Sequence, residues 1–389
     1  MNKVKTGVVG SGAMGSGIAQ VAATAGYDVV LFDADQNALK RAQKSIDSTL
    51  TKLTSKGKIT EEESKNISGR ISYASSLTDF KDCKLIIEAI IENLEIKQKV
   101  FQQLEDVVGE DCILATNTSS LSVTSIAGAC KIPARICGIH FLNPAPLMPL
   151  VEIIPAVQTT DDVFDKAKSI IDAWSKVTVK AKDTPGFIVN RVARSFYGEA
   201  LRMYEEQIAT IPFIDHAMKV YGGFKMGPFE LMDLIGNDIN YTVTETVWKQ
   251  MYFDAHYKPS LTQKRMTEAG RLGRKSGRGY YDYSEDAIAP EVINDEAKAL
   301  YIVNRIVCML INEAADAVYY GIATVDDVDL AMTKGVNYPK GLLKWCDDLG
   351  IKNVCAMLDA LHGIYNEERY RTSVLLKKML KEDKKFYHE

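Results

Sequence analysis

Short apolar runs alternate with amphipathic stretches through the first half of the chain. Val4–Val9, Tyr27–Phe32, Ser72–Ala74, Cys83–Ala89, Cys112–Thr116, Arg135–Phe141 and Leu150–Ile154 read as strands. Between them the apolar residues fall at helical spacing, as in Ile18, Ala19, Val21, Ala22 and Ala25, or over Glu95 to about Val108. Strands alternating with helices predict a parallel, doubly wound sheet. Residues 36–68 read as a polar helical hairpin broken at Gly57, its second helix starting at Thr60-Glu61-Glu62-Glu63. The alternation stops near Asp183. Asp183 or Thr184 is expected to cap a long helix, with Pro185 in its first turn and its end near Gln207.

The helical part contains a repeat. Ile188-Val189-Asn190-Arg191 recurs as Ile302-Val303-Asn304-Arg305, and Asp215, Gly227, Asp233 and Gly236 recur as Asp329, Gly341, Asp347 and Gly350. One gapless offset of 114 gives 15 identities over the 49 positions from 188 to 236, which marks two copies of one helical unit. The second copy has no Thr-Pro-Gly before its helix and has Gly341-Leu342 for Gly227-Pro228, so it reads as a packing copy.

The first strand runs into Gly10-Ser11-Gly12-Ala13-Met14-Gly15, then a helix, then a strand ending at Asp33. Strand, glycine turn, helix, strand and acid form a dinucleotide-binding arrangement. Gly10 permits the turn, Gly12 lets backbone N–H groups approach a pyrophosphate, and Gly15 lets helix and strand pack closely. The helix N-terminus faces the phosphates. Asp33 can accept from ribose hydroxyls and would repel a 2′-phosphate, which favours NAD over NADP. The expected fold is therefore α/β plus all-α: an N-terminal Rossmann-like doubly wound sheet followed by two tandem helical domains. The expected divisions are 1–183, 184–283, a linker at 284–295, and 296–389.

In such sheets ligands lie beyond the carboxyl ends of the strands. Glu92, Ser119 and His140 stand there with the glycine turn and Asp33. Glu152, twelve residues after His140 across a proline-broken loop, can bind one imidazole nitrogen and fix the tautomer. His140 is thus a candidate base, although a histidine in an apolar strand is commonly just a hydrogen-bonded core residue.

The formal net charge of −4 excludes a global attraction to nucleic acid or anionic membrane. An anionic ligand then needs a local basic site. Lys52, Lys56 and Lys58 offer one, though such lysines usually form a solvated face. No apolar run reaches the roughly 18 residues of a membrane span. The start of the chain enters a strand directly, so no signal peptide is expected. Seven scattered cysteines without a C-x-x-C pair indicate neither a disulfide framework nor a zinc site, and fit a reducing cytoplasm.

Six segments together resemble the L-3-hydroxyacyl-CoA dehydrogenases, including the short-chain 3-hydroxybutyryl-CoA type, over residues 4 to about 283. They are GxGxMGxGIA (Gly10–Ala19), EAIxENLxxK (Glu88–Lys97), NTSSL (Asn117–Leu121), GxHFxNPxPxMxLVE (Gly138–Glu152), DTPGFIVNR (Asp183–Arg191) and MGPFELxDxxG (Met226–Gly236). The resemblance implies that His140 is the general base for the C3 hydroxyl and Glu152 its orienting partner. It implies that Ser119 and Asn190 position the substrate. Gly10 to Gly15 and Asp33 would bind NAD, with Glu92, Lys97, Ser119 and Asn143 as further cofactor contacts. Lys56 and Thr49 (where the family tends to have Ser) would meet coenzyme A, with Ser119 on the substrate side. Lys275 matches a basic position on the cofactor or CoA side. The implied partner is a short-chain acyl-CoA, and no metal is needed.

The second helical copy departs from the simplest members, which pair one copy across a homodimer. It could replace a partner's helices within one chain, yet a homodimer remains the expected assembly. No enoyl-CoA hydratase module is present, so a multifunctional β-oxidation protein is not expected. The alternatives are a 3-hydroxyadipyl-CoA dehydrogenase of aromatic-acid breakdown and a non-CoA sugar-acid 3-dehydrogenase of the crystallin-like group. The 3-hydroxyisobutyrate or 6-phosphogluconate type uses a lysine base and is disfavoured by His140 and Glu152. A non-catalytic NAD-binding protein would not need Ser119, His140, Glu152 and Asn190 all in place.

Overall fold

The computed structural model describes residues 3–288 and 290–387. Met1 and Asn2 of the expected first domain, Ala289 of the linker, and His388 and Glu389 of the last domain lie outside the described residues. The chain divides into two compact units, with the boundary between Phe187 and Ile188.

In the first unit the elements run β1 (Thr6–Val9), α1 (Ala13–Thr24), β2 (Val29–Phe32), α2 (Gln36–Ser55), α3 (Glu61–Gly69), β3 (Ile71–Ala74) and β4 (Leu85–Glu88). They continue α4 (Leu94–Glu105), β5 (Ile113–Thr116), α5 (Val123–Ala127), β6 (Ile136–Phe141), β7 (Leu150–Pro155), α6 (Asp161–Asp172) and β8 (Val177–Lys180). Among the described residues the strands form one eight-stranded sheet, in the order β3-β2-β1-β4-β5-β6-β7-β8. Pairing is parallel from β3 to β6, antiparallel between β6 and β7, and parallel again to β8. Strands covered on both faces read as continuous apolar runs, and Val8, Leu31, Ile87 and Ile139 are fully buried. In the polar hairpin Thr60 and Glu63 satisfy each other's backbone N–H groups and fix the start of α3.

The segment after β8 departs from the expected helix start. The Asp183 carboxylate accepts from Val123 N at 3.1 Å, Thr124 N at 2.7 Å and Ser122 Oγ at 3.0 Å, so it caps α5. Pro185 lies in a turn in which Phe187 N donates to Thr184 O at 3.0 Å. Helix begins only at Val189 and is interrupted at Ala193, giving α7 (Val189–Val192) and α8 (Arg194–Glu205). The N–H groups of α5 compete successfully for the carboxylate, and residues 183–187 therefore belong to the first unit.

The second unit continues with α9 (Ile211–Val220), α10 (Pro228–Ile235), α11 (Asn237–Gln250) and α12 (Leu261–Glu268). After the linker come α13 (Glu296–Tyr319), α14 (Val325–Gly335), α15 (Leu342–Leu349), α16 (Ile351–Tyr365) and α17 (Val374–Glu382). The two copies pack as one compact unit, through an exchange of charge. Arg191 Nε donates to Glu313 Oε1 at 2.6 Å, while its counterpart Arg305 Nε donates to Glu199 Oε2 at 3.0 Å. Each copy's arginine is neutralised by the other copy's glutamate, and all four side chains are buried.

The repeat runs further than the gapless match shows. Tyr257 donates to Glu313, and Tyr370 donates to Glu199. Asp215 accepts from Phe229 N, Glu230 N and Tyr281 Oη, and Asp329 accepts from Leu343 N, Lys344 N and Tyr387 Oη. Tyr370 stands 113 residues after Tyr257, and Tyr387 stands 106 after Tyr281. Small length changes hid these pairs from a fixed register. Burial pushes the Asp215 carboxyl up to about 7, against those three donors. Among the described residues no helix is long and apolar enough to cross a membrane.

Candidate active site

The site assembles at the carboxyl ends of the central strands. Gly12 is the N-cap of α1, with no side chain capping the helix and no acid in its first turn. Its first N–H groups are therefore left for an anion. The packing depends on Gly15, where a Cβ would lie 1.8 Å from Gly10 O. A Cβ on Gly12 would meet nothing within 4 Å, so the backbone there faces open space. Ser11 N and Oγ both donate to Asp33 Oδ2, at 2.7 and 2.8 Å, which ties this acid to the glycine turn. These residues fit a dinucleotide. Asp33→Ala is expected to weaken NADH binding and to narrow the preference for NADH over NADPH. Titrating both nucleotides checks it, and an unchanged preference would remove Asp33 from the ribose.

The β6–β7 register places His140 directly opposite Glu152. Nδ1 of His140 lies 2.7 Å from Glu152 Oε2. His140 is 5% exposed and Glu152 fully buried, so the pair interacts where water screens little. With Nδ1–H donated to the carboxylate, Nε2 is left as the proton acceptor. Asn117 Oδ1 accepts from Phe141 N at 2.8 Å and ties the end of β5 to the strand that carries the histidine.

The Ser119 loop is organised by Glu92. Its Oε1 accepts from Thr118 Oγ1 at 2.5 Å, Ser119 N at 3.0 Å and Ser120 N at 3.2 Å. Lys97 Nζ lies 3.3 Å from the other oxygen and 2.6 Å from Glu88 Oε1. Burial works against the Glu92 charge, but Lys97, Thr118 and Ser119 outweigh it and hold the carboxyl below its ordinary range. Lys97 is itself buried, engaged by both glutamates. Glu88 was not singled out from the sequence as a site residue. The signal was there, because an acid at a strand end nine residues before a lysine brackets the turn into α4.

Among the other residues singled out, Asn143 is exposed on the loop after β6. Lys56 is exposed just beyond α2, and Thr49 Oγ1 donates to Ser45 O within that helix. Asn190 and Lys275 stand in the second unit. Asn190 lies on α7, and its carbonyl accepts from Arg194 Nε at 2.9 Å. Lys275 pairs with Asp238 at 2.6 Å.

A glycine turn that fits a dinucleotide, with a carboxylate-bound histidine on a strand of the same sheet, fits an NAD-dependent oxidoreductase. Comparison with known proteins narrows the class. The model described as 3-hydroxyacyl-CoA dehydrogenase, NAD binding domain, matches residues 5–184. The corresponding C-terminal domain matches twice, at 186–283 and 301–386. The 3-hydroxyadipyl-CoA dehydrogenase of Escherichia coli (strain K12) is 35% identical over 97% of this chain and 97% of its own length. A 3-hydroxybutyryl-CoA dehydrogenase of Clostridioides difficile is 40% identical over 72% of this chain and all of its own. The crystal structure of 3-hydroxybutyryl-CoA dehydrogenase from Escherichia coli K12 superposes with a TM-score of 0.90 at 35% identity, covering 97% of this chain and 98% of that one. The chain therefore belongs to the 3-hydroxyacyl-CoA dehydrogenase family, with NAD as its cofactor.

Proposed function

We propose that the chain interconverts (S)-3-hydroxyacyl-CoA and 3-oxoacyl-CoA of short acyl length, with His140 as general base and Glu152 as its orienter. The observation that carries this reading is the buried 2.7 Å contact of His140 Nδ1 with Glu152, opposite each other across two strands. NAD, when bound, supplies the hydride acceptor. Nε2 of His140 takes the C3 hydroxyl proton, and Glu152 stabilises the imidazolium that results. Ser119 and Asn190 orient the substrate oxygens. Gly10 to Gly15 and Asp33 hold the dinucleotide, with Ser119, Asn143 and Glu92 beside it and Lys97 acting by way of Glu92. Thr49, Lys56 and Lys275 are assigned to the anionic end of the substrate or cofactor. A cytoplasmic setting is part of the reading, supported by seven cysteines that are all free.

For assembly, the reciprocal Arg–Glu pairs satisfy the copy-to-copy face inside one chain. A homodimer would have to use another surface.

A dicarboxylic substrate is the second reading, favoured because the Escherichia coli relative that spans both helical copies is a 3-hydroxyadipyl-CoA dehydrogenase. NADH oxidation measured with acetoacetyl-CoA, 3-oxoadipyl-CoA and free acetoacetate tests both. The expected result is the highest kcat/KM with acetoacetyl-CoA and loss of at least tenfold without CoA, since remote binding energy serves orientation. A preference for 3-oxoadipyl-CoA selects the second reading, and equal rates with free acetoacetate overturn the CoA assignment.

A further inference from the structure

The segment Asp183-Thr184-Pro185-Gly186-Phe187 has no part in the chemistry described so far, yet it is tied to the site at both ends. Its first residue is clamped to the start of α5 by the three hydrogen bonds to Asp183. Its last residue, Phe187, is 1% exposed, with its ring centroid 5.6 Å from that of His140 and the two planes at 58°. Between them Pro185 and Gly186 occupy the central positions of a tight turn. Gly186 has φ +78°, and the turn closes through Phe187 N to Thr184 O. Proline followed by a glycine of positive φ is the composition such a turn requires.

Phe187 is itself unusual. Its φ is +47°, in the left-handed region that a bulky residue rarely enters. A glycine would adopt it without strain. A large aromatic held there, fully buried against the imidazole, points to a requirement for the ring itself.

We propose that Asp183–Phe187 is a strap whose function is to position His140, with Phe187 as the positioning residue. Glu152 fixes one edge of the imidazole through Nδ1. A single hydrogen bond still allows the ring to tilt about that contact. The Phe187 ring closes the adjacent side and holds Nε2 in one direction. It also keeps water away from the face it covers. The Pro-Gly turn sets where the ring lands, and the Asp183 clamp anchors the turn to a helix that follows directly on the Ser119 loop. The strap thus couples base and loop within one unit.

This inference rests on His140 being the base, and the experiment separates the two. Phe187→Leu keeps apolar bulk without the ring. Phe187→Gly relieves the left-handed backbone, so its fold does not depend on the strained conformation. Both are compared with wild type and with His140→Gln for kcat, KM and NADH binding in the oxidation of 3-hydroxybutyryl-CoA. The expected result is a kcat about tenfold to a hundredfold lower in both Phe187 variants, the usual cost of a misplaced reacting group, with KM and NADH binding little changed. Phe187→Tyr, which keeps the ring, should recover most of kcat. Wild-type kcat in Phe187→Leu or Phe187→Gly, with His140→Gln still inactive, would overturn the strap alone. Full activity in His140→Gln would overturn the reading beneath it.

Discussion

His140→Gln is expected to turn over acetoacetyl-CoA about 10²–10⁴-fold more slowly than wild type while binding NADH normally, the usual worth of a general base. Glutamine is the informative replacement. Its amide can still donate to Glu152, so the buried carboxylate keeps a partner. It cannot carry a proton between hydroxyl and solvent, so only the acid–base role is removed. The glycine turn and Asp33, proposed to hold the dinucleotide, are untouched. Steady-state turnover with NADH titration on the same preparation checks the split. Near wild-type turnover would remove His140 from the mechanism.

Arg305→Met is expected to destabilise the helical unit by about 3–5 kcal/mol, the cost of leaving a buried charge without its partner. Arg305 is fully buried and donates to Glu199 at 3.0 Å, to Glu206 at 2.9 and 3.2 Å, and to the hydroxyls of Tyr365 and Tyr370. Methionine fills much of the volume but leaves Glu199, 1% exposed, without its main counter-charge. For a unit of this size the loss corresponds to a fall in Tm of roughly 6–20 °C. Adding Glu199→Gln should restore part of it, because the amide no longer needs a counter-charge. Differential scanning calorimetry of the single and double variants measures both effects. An unchanged Tm in Arg305→Met would show that the exchanged pairs do not hold the copies together.

The Rossmann-like sheet was legible because its strands are apolar runs ended by distinctive residues. The glycine turn, Asp33, and the spacing from His140 to Glu152 each carry a physical requirement visible in one dimension. The β6–β7 pairing was read correctly because two strands joined by a short proline loop have few other ways to meet. Asp183 was misread because its capping partner, α5, lies some sixty residues away in sequence. A carboxylate before Thr-Pro looks like a local cap, and only the fold decides which helix receives it. The buried role of Lys97 was hidden for a related reason. A lysine on an amphipathic helix looks solvated until Glu88 and Glu92 are seen to converge on it. The exchanged arginines were visible as identities, but nothing in a repeat says that each copy's charge is answered by the other.

The central claim is that His140, held by Glu152, moves the proton that accompanies hydride transfer. The most direct measurement is a single turnover: enzyme with NADH bound, mixed rapidly with acetoacetyl-CoA and followed by loss of NADH absorbance, for wild type and His140→Gln. If His140 has that role, wild type oxidises NADH fast and the variant does so about 10²–10⁴-fold more slowly at equal NADH occupancy. Equal rates in the two proteins would contradict it.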